Sequence, residues 1–231
     1  MKLTVLDPFS PDQPFPDPEN ALQEPDGLLA IGGCLSPERI INAYRHGIFP
    51  WYGPDEPILW WSPNPRLVLF PEQLKISRSL RKTIRKEVFQ LSYDQAFAEV
   101  IEACAAPRQK QDGTWITEEM NEAYTQLHRQ GIAHSVEAWH DGNLVGGLYG
   151  LAIGQVFFGE SMFHRKTDAS KVVFAYLVKH LIDWRYQLID CQVHSPHLAS
   201  LGAVEIERRD FIGRLRTLCN QAPGKQAWQS L

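Results

Sequence analysis

Cysteine is scarce in this chain, and its cysteines stand apart from one another. None forms a Cys-x-x-Cys motif or lies beside a histidine at a metal-ligand spacing: Cys34, Cys104, Cys191 and Cys219. Isolated cysteines of this kind are typical of reduced thiols in a cytosolic protein. The sequence therefore argues against a disulfide framework and predicts no metal site.

A long apolar run is also missing. The N-terminus passes from residues 1–5 into a segment rich in proline and aspartate, where a signal peptide would have its apolar region. No apolar stretch reaches the roughly 20 residues that a membrane-spanning helix needs. We therefore expect a cytoplasmic protein with no membrane partner.

Net positive charge is absent as well, since the formal charge is −4 at pH 7. This argues against general affinity for nucleic acid, but the location of charge matters more than its sum. Residues 75–86 include six basic side chains and no acidic one. As a helix, this segment would turn Ile76, Leu80 and Ile84 inward and expose a basic face. That face would carry Arg78, Arg81, Lys82, Arg85 and Lys86.

The basic segment has two interpretations. Surface helices are often charged, so it could be an ordinary solvated face. A merely soluble helix usually mixes charges of both signs, however, and this one does not. The one-sided charge favours a local phosphate-binding face on an acidic protein.

The first 65 residues are rich in proline, glycine and aromatic side chains. They predict one helix, with Ser36 as N-cap, Pro37 as its first residue and Gly47 at its end. The rest of this region predicts no regular structure, and prolines cluster at 63–66. We therefore predict a small N-terminal domain or flap over residues 1–65 and a larger domain over 66–231.

From residue 67 onward the apolar periodicity alternates between strand and helix. An Asp141-Gly142 hairpin signal lies within three closely spaced strands. The predicted order of ranges is 67–70 (strand), 75–86, 94–104 and 117–131 (helices), 134–139, 144–153 and 155–158 (strands), 169–184 (helix), 188–193 (strand), 195–202 (helix), 204–207 (strand) and a last helix. This order resembles the acetyltransferase-like (GNAT-type) α/β fold, which does not by itself give a function.

A glycine-rich pyrophosphate loop is missing where that fold would need one. Coenzyme A enzymes of this fold hold the pyrophosphate on backbone N–H groups at the N-terminus of the helix after the three strands. Here residues 159–163 read as a turn without those glycines. Glu160 and Asp168 would repel a pyrophosphate. The sequence therefore argues against coenzyme A.

The predicted strand 188–193 carries two polar residues where core residues are expected. Alternation places Asp190 and Gln192 on one face and Ile189, Cys191 and Val193 on the other. A carboxylate and a carboxamide inside a sheet must be hydrogen-bonded or have a function. A satisfied structural pair and a catalytic pair are both open at this point.

Tryptophans in predicted loops offer surfaces on which a base could stack. Those residues are Trp51, Trp60, Trp61 and Trp115, although Trp60 and Trp61 are also typical of a core. Together with the basic segment and the polar pair, they indicate an enzyme whose donor is a nucleic acid carrying an acyl group.

Long, ordered blocks of the sequence carry a resemblance to a known family. These blocks are residues 25–33 (PDGLLAIGG), 44–51 (YRHGIFPW), 60–63 (WWSP), 113–117 (GTWIT), 159–163 (GESMF), 188–192 (LIDCQ) and 199–203 (ASLGA). Along nearly its whole length the chain resembles the leucyl/phenylalanyl-tRNA–protein transferases. The resemblance implies a cytosolic bacterial aminoacyltransferase that needs no metal, no coenzyme A and no other cofactor.

The resemblance also implies the reaction and its partners. Leucine or phenylalanine, and methionine less well, would move from Leu-tRNA, Phe-tRNA or Met-tRNA to proteins that begin with Arg or Lys. The added residue would mark the acceptor for degradation by the N-degron (N-end rule) route.

Carried over by position, the resemblance makes Asp190 and Gln192 the catalytic pair. Aminolysis of an ester needs the amine to lose a proton and the oxyanion to be stabilised. We hypothesise that the Gln192 carbonyl holds the amine and that Asp190 fixes and polarises Gln192. No covalent intermediate is required, and Cys191 is expected to face away.

The resemblance assigns the remaining site residues to four groups. Trp51 and Trp115 would hold the 3′-terminal adenosine, with Tyr44 and Tyr124 nearby, and Glu160 would meet the cationic acceptor N-terminus. The amino-acid pocket would be lined by Leu148, Met162, Leu177 and Ile189; relatives can carry Phe at the position of Leu177. The acceptor stem would contact Arg78, Lys82, Arg85 and Lys86.

Other classes remain as alternatives. A coenzyme-A-dependent N-acetyltransferase predicts acetyl-CoA binding, and an aminoacyl-tRNA-dependent ligase of cell-wall precursors usually has two such domains. A non-catalytic RNA-binding module would make Asp190 and Gln192 structural and would not need an apolar pocket beside them.

Overall fold

The structure is a computed structural model that describes residues 3–106 and 116–229. Within that part of the chain the strands are β1 (Thr4–Leu6), β2 (Leu28–Gly32), β3 (Phe49–Pro50), β4 (Leu59–Trp61), β5 (Arg66–Leu69), β6 (Gln90–Tyr93), β7 (Ala133–His140), β8 (Asn143–Ile153), β9 (Val156–His164), β10 (Leu188–Gln192) and β11 (Val204–Ile206). The helices are α1 (Pro37–Arg45), α2 (Arg78–Arg85), α3 (Phe97–Ala105), α4 (Glu118–Arg129), α5 (Ala169–Asp183), α6 (Pro196–Ser200) and α7 (Arg208–Leu218).

A seven-stranded sheet, ordered β11-β5-β10-β9-β8-β7-β6, forms the centre of the larger part of the molecule. β7, β8 and β9 are successive antiparallel neighbours, and β10 returns parallel to β9 after the crossover helix α5. From β5 onward the strands and helices follow the predicted order, except that β6, the edge strand at Gln90–Tyr93, was not predicted. The predicted α/β class with an acetyltransferase-like arrangement is confirmed.

Local capping explains where several helices begin. The hydroxyls of Ser36 and Thr117 accept backbone N–H groups at the starts of α1 and α4, as the sequence predicts. The basic segment forms a shorter helix than 75–86, because the Ser77 hydroxyl accepts the Leu80 N–H and starts α2 at Arg78.

The prediction that most of residues 1–65 lacks regular structure is wrong. A four-stranded sheet in the order β1-β2-β4-β3 lies there. Its strands have two to five residues and are interrupted by proline and glycine, so no period-2 pattern emerges. The expected boundary at 65/66 stays a proposal; the small sheet ends at Trp61 and the large one begins at Arg66.

The predicted turn at 159–163 is also wrong. These residues continue β9, which runs to His164 and pairs with β8 through a bulge between Tyr149 and Gly150. Asp168 does precede helix α5, as expected, but Glu160 lies on the strand. Glycine and glutamate are both uncommon in strands, which is why the sequence predicts a turn at this point.

Two layers of apolar side chains cover the large sheet. Helices α3 and α4 contact one face, and α5 contacts the other. The α5 layer includes Leu148, Phe157, Leu177 and Ile189, and it borders the site described below. None of the described helices combines the length and the hydropathy that crossing a bilayer demands.

Candidate active site

The end of strand β10 has an unusual backbone. Gln192 has a φ of 64°, in the left-handed region that non-glycine residues seldom occupy. The Val193 N–H donates to the Cys191 carbonyl (2.9 Å), which closes a three-residue γ-turn around Gln192. The pairing of β10 with β5 shifts register between Asp190 and Gln192. Strand alternation therefore stops at Asp190, and simple facing rules do not extend to Gln192.

Asp190 forms a buried ion pair that the sequence did not predict. Arg66 Nε donates to Asp190 Oδ1 (2.8 Å) and Arg66 Nη2 to Oδ2 (2.7 Å). Both side chains are almost fully buried. The guanidinium lies 4.7 Å from the ring centroids of Phe49 and Phe211, and Nη1 donates to the Gly47 carbonyl (3.2 Å). Both carboxylate oxygens of Asp190 are thus engaged by one arginine.

The contact between Asp190 and Gln192 differs from the hypothesis. Asp190 Oδ1 accepts the backbone N–H of Gln192 (2.9 Å), so the carboxylate fixes the main chain of the γ-turn. The Gln192 side chain is hydrogen-bonded elsewhere, to Glu160 (Nε2 to Oε1, 3.0 Å). Among the described contacts of Asp190 there is no hydrogen bond to the Gln192 carboxamide. The structure therefore supports the hypothesis that Asp190 fixes Gln192, through its backbone, but not that Asp190 polarises the Gln192 side chain.

Glu160 is the centre of a hydrogen-bond network. Its carboxylate accepts from the hydroxyl of Tyr44 (2.7 Å), from that of Tyr124 (3.1 Å) and from Gln192. The two tyrosine hydroxyls are 2.6 Å apart. Tyr44 comes from α1 and Tyr124 from α4, so helices from two distant parts of the chain position one side chain of β9.

Burial of the Glu160 carboxyl raises its pKa to about 7. The hydroxyls of Tyr44 and Tyr124 lower the pKa, the charge of Asp190 raises it, and Gln192 lowers it, each by less than burial does. Burial, and then the charge of Glu160, raise the pKa values of Tyr44 and Tyr124 well above 10. The tyrosines therefore remain donors, and burial favours the neutral form of Glu160.

A cavity of about 400 Å³ opens beside this network. Glu160, Asp190 and Gln192 form its polar end. The apolar residues predicted for an amino-acid pocket all line it: Leu148, Met162, Leu177 and Ile189. Phe157 and Phe174 also belong to the apolar wall and were not predicted. An apolar cavity that ends in a few polar groups is typical of a small-molecule site.

Cys191 also lines the cavity, contrary to the expectation that it faces away. The γ-turn after it explains the difference, because it brings the last residues of β10 to one opening. Burial and the neighbouring Asp190 raise the pKa of the Cys191 thiol far above its usual range. A thiol held in its neutral form is a poor nucleophile.

The predicted adenosine-binding residues have different surroundings. Trp51 is 44% exposed and borders a smaller cavity of about 140 Å³ together with Glu160 and Gln192. Trp115 lies outside the described residues. Tyr44 and Tyr124 are fully buried. Their hydroxyls contact Glu160, and their rings offer no surface to a base.

Trp60 and Trp61 have structural contacts in and beside the small sheet. Trp60 is fully buried in the small sheet, and its indole N–H donates to the Gly32 carbonyl (2.8 Å). Trp61 is partly buried, and its indole N–H donates to the Trp51 carbonyl (2.6 Å). Trp61 therefore supports the backbone of Trp51.

Helix α2 presents the expected basic face. Leu80 is buried, and the exposed side chains are Arg78, Arg81, Lys82, Arg85 and Lys86. Thr83 donates to Asp168 (3.3 Å) just before α5, the helix that supplies Leu177 to the cavity. The basic face is thus joined to the helix that forms one cavity wall.

No metal-binding arrangement of three or more His, Cys, Asp or Glu side chains occurs in residues 3–106 and 116–229. The sequence did not indicate a role for Arg66, which binds both carboxylate oxygens of Asp190. It lies 124 positions from Asp190, so no local pattern connects the two. The only signal was a charged residue at the start of an otherwise apolar strand.

Comparison with known proteins identifies the family. Residues 68–216 match the family described as "Leucyl/phenylalanyl-tRNA protein transferase", and residues 33–64 match its N-terminal domain. A leucyl/phenylalanyl-tRNA–protein transferase of Methylococcus capsulatus is 57% identical over 98% of this chain and 97% of its own length. One of Nitrosomonas europaea is 62% identical over 93% of this chain and 90% of its own length.

A GCN5-related N-acetyltransferase from Kribbella flavida superposes with a TM-score of 0.38 and 14% identity, covering 70% of this chain and 58% of that one. The fold assignment rests on the strand order described above. The two family matches and the identity to full-length relatives agree with the resemblance seen in the sequence. The chain therefore belongs to the leucyl/phenylalanyl-tRNA–protein transferase family and is an aminoacyltransferase.

Proposed function

We propose that this protein transfers leucine or phenylalanine, and methionine less well, from aminoacyl-tRNA to the N-terminal Arg or Lys of acceptor proteins. The observation that carries the proposal is one cavity with an apolar wall and a polar end formed by Glu160, Asp190 and Gln192. The acceptors so marked enter the N-degron route, and the enzyme works in the bacterial cytoplasm.

The bond changes are those of ester aminolysis. The neutral α-amine of the acceptor attacks the carbonyl carbon of the aminoacyl ester and forms the C–N bond. The ester bond to the ribose oxygen breaks, and the proton lost by the amine ends on that oxygen. Because the ester is already activated, correct placement of amine and ester supplies much of the acceleration.

Gln192 holds the acceptor amine in this proposal. Its Nε2 donates to Glu160, which leaves the carboxamide oxygen as the acceptor for the attacking N–H. A carboxamide is too weak a base to take the proton permanently. Its role is therefore to orient the amine and to stabilise the positive charge that develops on nitrogen during attack.

Asp190 is a positioning residue for Gln192. Its carboxylate is neutralised by Arg66 and holds the γ-turn through the Gln192 N–H. A γ-turn with positive φ costs roughly 1–3 kcal/mol and persists only when its surroundings enforce it. The ion pair provides that enforcement.

Glu160 supplies negative charge at the polar end of the cavity. It lies on the same side as Gln192 and is only partly buried. This supports its assignment to the cationic N-terminus of the acceptor, which it attracts when ionised. Because burial raises the pKa of Glu160 to about 7, this attraction weakens as the pH falls below neutral.

The donor is held by contacts outside the cavity. Exposed Trp51 borders the polar end and provides a surface for the terminal adenosine, together with Trp115. The basic face of α2, with Arg78, Lys82, Arg85 and Lys86, contacts backbone phosphates of the acceptor stem and reads no sequence.

Selection among amino acids depends on the shape of the apolar wall. One methylene in an apolar pocket discriminates substrates by only about 1–3 kcal/mol, so Leu, Phe and Met are accepted by size. Rejection of β-branched Ile and Val requires close packing near the substrate Cβ, and Leu148 and Ile189 are among the residues that line the cavity.

The test is transfer of radiolabelled leucine from Leu-tRNA to a peptide that begins with Arg. Parallel reactions use the same peptide beginning with Glu, Val-tRNA as donor, and labelled acetyl-CoA. We expect transfer only with Leu-tRNA and the Arg peptide. Labelling from acetyl-CoA would indicate an N-acetyltransferase, and Leu-tRNA binding without transfer by the folded protein would indicate a non-catalytic RNA-binding module.

A further inference from the structure

The C-terminal segment 221–229 folds back onto the large sheet. The Gly224 N–H donates to the Trp184 carbonyl (2.6 Å), and the Tyr93 hydroxyl donates to the Gln229 carbonyl (2.6 Å). The segment is therefore anchored near both of its ends, although no sequence motif singled it out.

Trp228 is the side chain through which this segment enters the core. Its indole N–H donates to the Tyr186 hydroxyl (2.9 Å). Its rings stack on His134 at 4.0 Å and lie 4.8 Å from Trp184. Aromatic neighbours on several sides fix the plane of the indole.

Trp228 also contacts the wall of the cavity. Its ring lies 5.9 Å from that of Phe157, with an interplanar angle of 27°. Phe157 is 1% exposed and lines the cavity together with Leu148, Leu177 and Ile189. One aromatic ring thus separates the C-terminal segment from the space assigned to the amino-acid side chain.

The position of the Phe157 ring depends on its neighbours. A Cβ at Gly150 would lie 2.6 Å from Phe157 Cζ, so the strand beside the ring leaves no room for it to shift that way. In a close-packed core a ring moves only where a neighbour yields space. Trp228 is the neighbour that belongs to the terminal segment and not to the sheet.

We propose that Trp228 is a specificity-determining positioning residue, which sets the depth of the amino-acid cavity by holding Phe157 in place. This inference rests on the proposed function. With Trp228 truncated, the Phe157 ring gains space to retreat and the cavity deepens. The kcat/KM for Phe-tRNA, which carries the larger side chain, then rises relative to the kcat/KM for Leu-tRNA.

The test is the ratio of kcat/KM for Phe-tRNA to kcat/KM for Leu-tRNA, with an Arg-starting acceptor peptide, in Trp228→Ala. We expect this ratio to rise at least about fivefold, since a methylene-sized change in an apolar pocket discriminates substrates about 10–200-fold. A merely structural role would lower both values together and leave the ratio unchanged.

Three variants accompany the test. Trp228→Phe keeps a flat ring against Phe157 and should retain the wild-type ratio. Phe157→Leu removes part of the wall directly and should raise the ratio. The matched control is Trp139→Ala: Trp139 is also partly buried and its indole N–H donates to Ser92 (2.8 Å), but it packs on the opposite layer.

The outcomes separate the inference from the proposed function. A Trp228→Ala ratio within about twofold of wild type, well below the effect of one methylene, overturns the inference, as does an equal change in Trp139→Ala. If Trp228→Ala does not fold, Trp228→Leu makes the same comparison. If the wild-type protein transfers neither amino acid, the proposed function fails and the inference fails with it.

Discussion

At residue 192 the backbone adopts a conformation that the local sequence does not favour. Gln192 has a positive φ, and the γ-turn around it directs the carboxamide towards Glu160. The Arg66–Asp190 pair supplies the acceptor that holds the turn. Strain held by a buried ion pair beside a cavity is typical of a site that positions a reacting group.

Asp190→Ala should lower the stability of the folded protein. It leaves the Arg66 guanidinium buried without its partner, which costs about 3–5 kcal/mol. We expect the free energy of unfolding, measured with urea, to fall by about that amount. The double variant Arg66→Met/Asp190→Leu should recover much of the loss. A single variant as stable as wild type would contradict the importance of the pair.

Glu160 should make stability depend on pH. Its pKa is about 7 in the folded chain and 4.5 in its unperturbed state, so the folded state binds the proton more tightly. Stability therefore falls as pH rises from about 4.5 to about 7. At about 1.4 kcal/mol per pKa unit, the decrease is up to about 3 kcal/mol. Glu160→Gln should remove this slope; an unchanged slope in urea titrations between these pH values would contradict the assignment.

At the scale of elements, helix α2 concentrates exposed positive charge while the whole chain is acidic. Its apolar side is anchored by Leu80, and Thr83 links it to the loop before α5. A rigid helix with one basic face is well suited to a phosphate backbone, because its charges keep a fixed spacing.

Neutralising α2 should weaken donor binding in a salt-dependent way. For Lys82→Gln/Arg85→Gln, the slope of log K for Leu-tRNA against log salt should become shallower by about 0.7–0.9 per lost phosphate contact. Filter binding across a salt series measures this. Arg129→Gln, on the exposed end of α4, is the control and should keep the wild-type slope. If both variants change the salt slope equally, the effect comes from the overall charge of the protein and not from a binding face on α2.

How far the sequence predicts the elements depends on their length and caps. The capped helices α1 and α4 begin where expected, whereas α2 begins later than predicted, at its Ser77 cap. The short strands of the small sheet have too few residues for alternation to register. The sequence predicts that the strand ends before Gly159, because glycine and glutamate are uncommon in strands, but the contacts of Glu160 with Tyr44 and Tyr124 override that preference.

The candidate site was predictable only in part, because contacts between distant parts of the chain decide which residues meet there. Asp190 and Gln192 stood out as polar residues in an apolar strand, and the pocket residues followed from the family resemblance. Arg66, Phe157 and Trp228 act through contacts with distant parts of the chain. Their roles depend on the packed structure and leave no local pattern.

At the scale of the whole molecule, the site is assembled across the two sheets. Tyr44 and Phe49 come from the N-terminal part and contact Glu160 and Arg66 of the larger one. Arg208 at the start of α7 joins the parts again, because its Nη1 donates to the Ser62 carbonyl (2.7 Å).

Arg208→Ala should therefore loosen the connection between the two sheets. It leaves the buried Ser62 carbonyl without its donor, which costs about 1–3 kcal/mol. Urea unfolding measures the loss. The neighbouring Arg209→Ala is the matched control, since Arg209 is exposed and should change stability by less than about 0.5 kcal/mol. Equal losses of stability in the two variants would argue against a connection between the two sheets through Arg208.

The most direct test of the account is Gln192→Ala, assayed for single-turnover transfer from Leu-tRNA to an Arg-starting peptide and for Leu-tRNA affinity. We predict that the transfer rate falls at least about 100-fold, the loss expected when a reacting group is misplaced by about 1 Å. Affinity for Leu-tRNA should stay at the wild-type value, as it should in the exposed control His194→Ala. A normal transfer rate, or a loss of affinity that accounts for the whole defect, would contradict the role of Gln192.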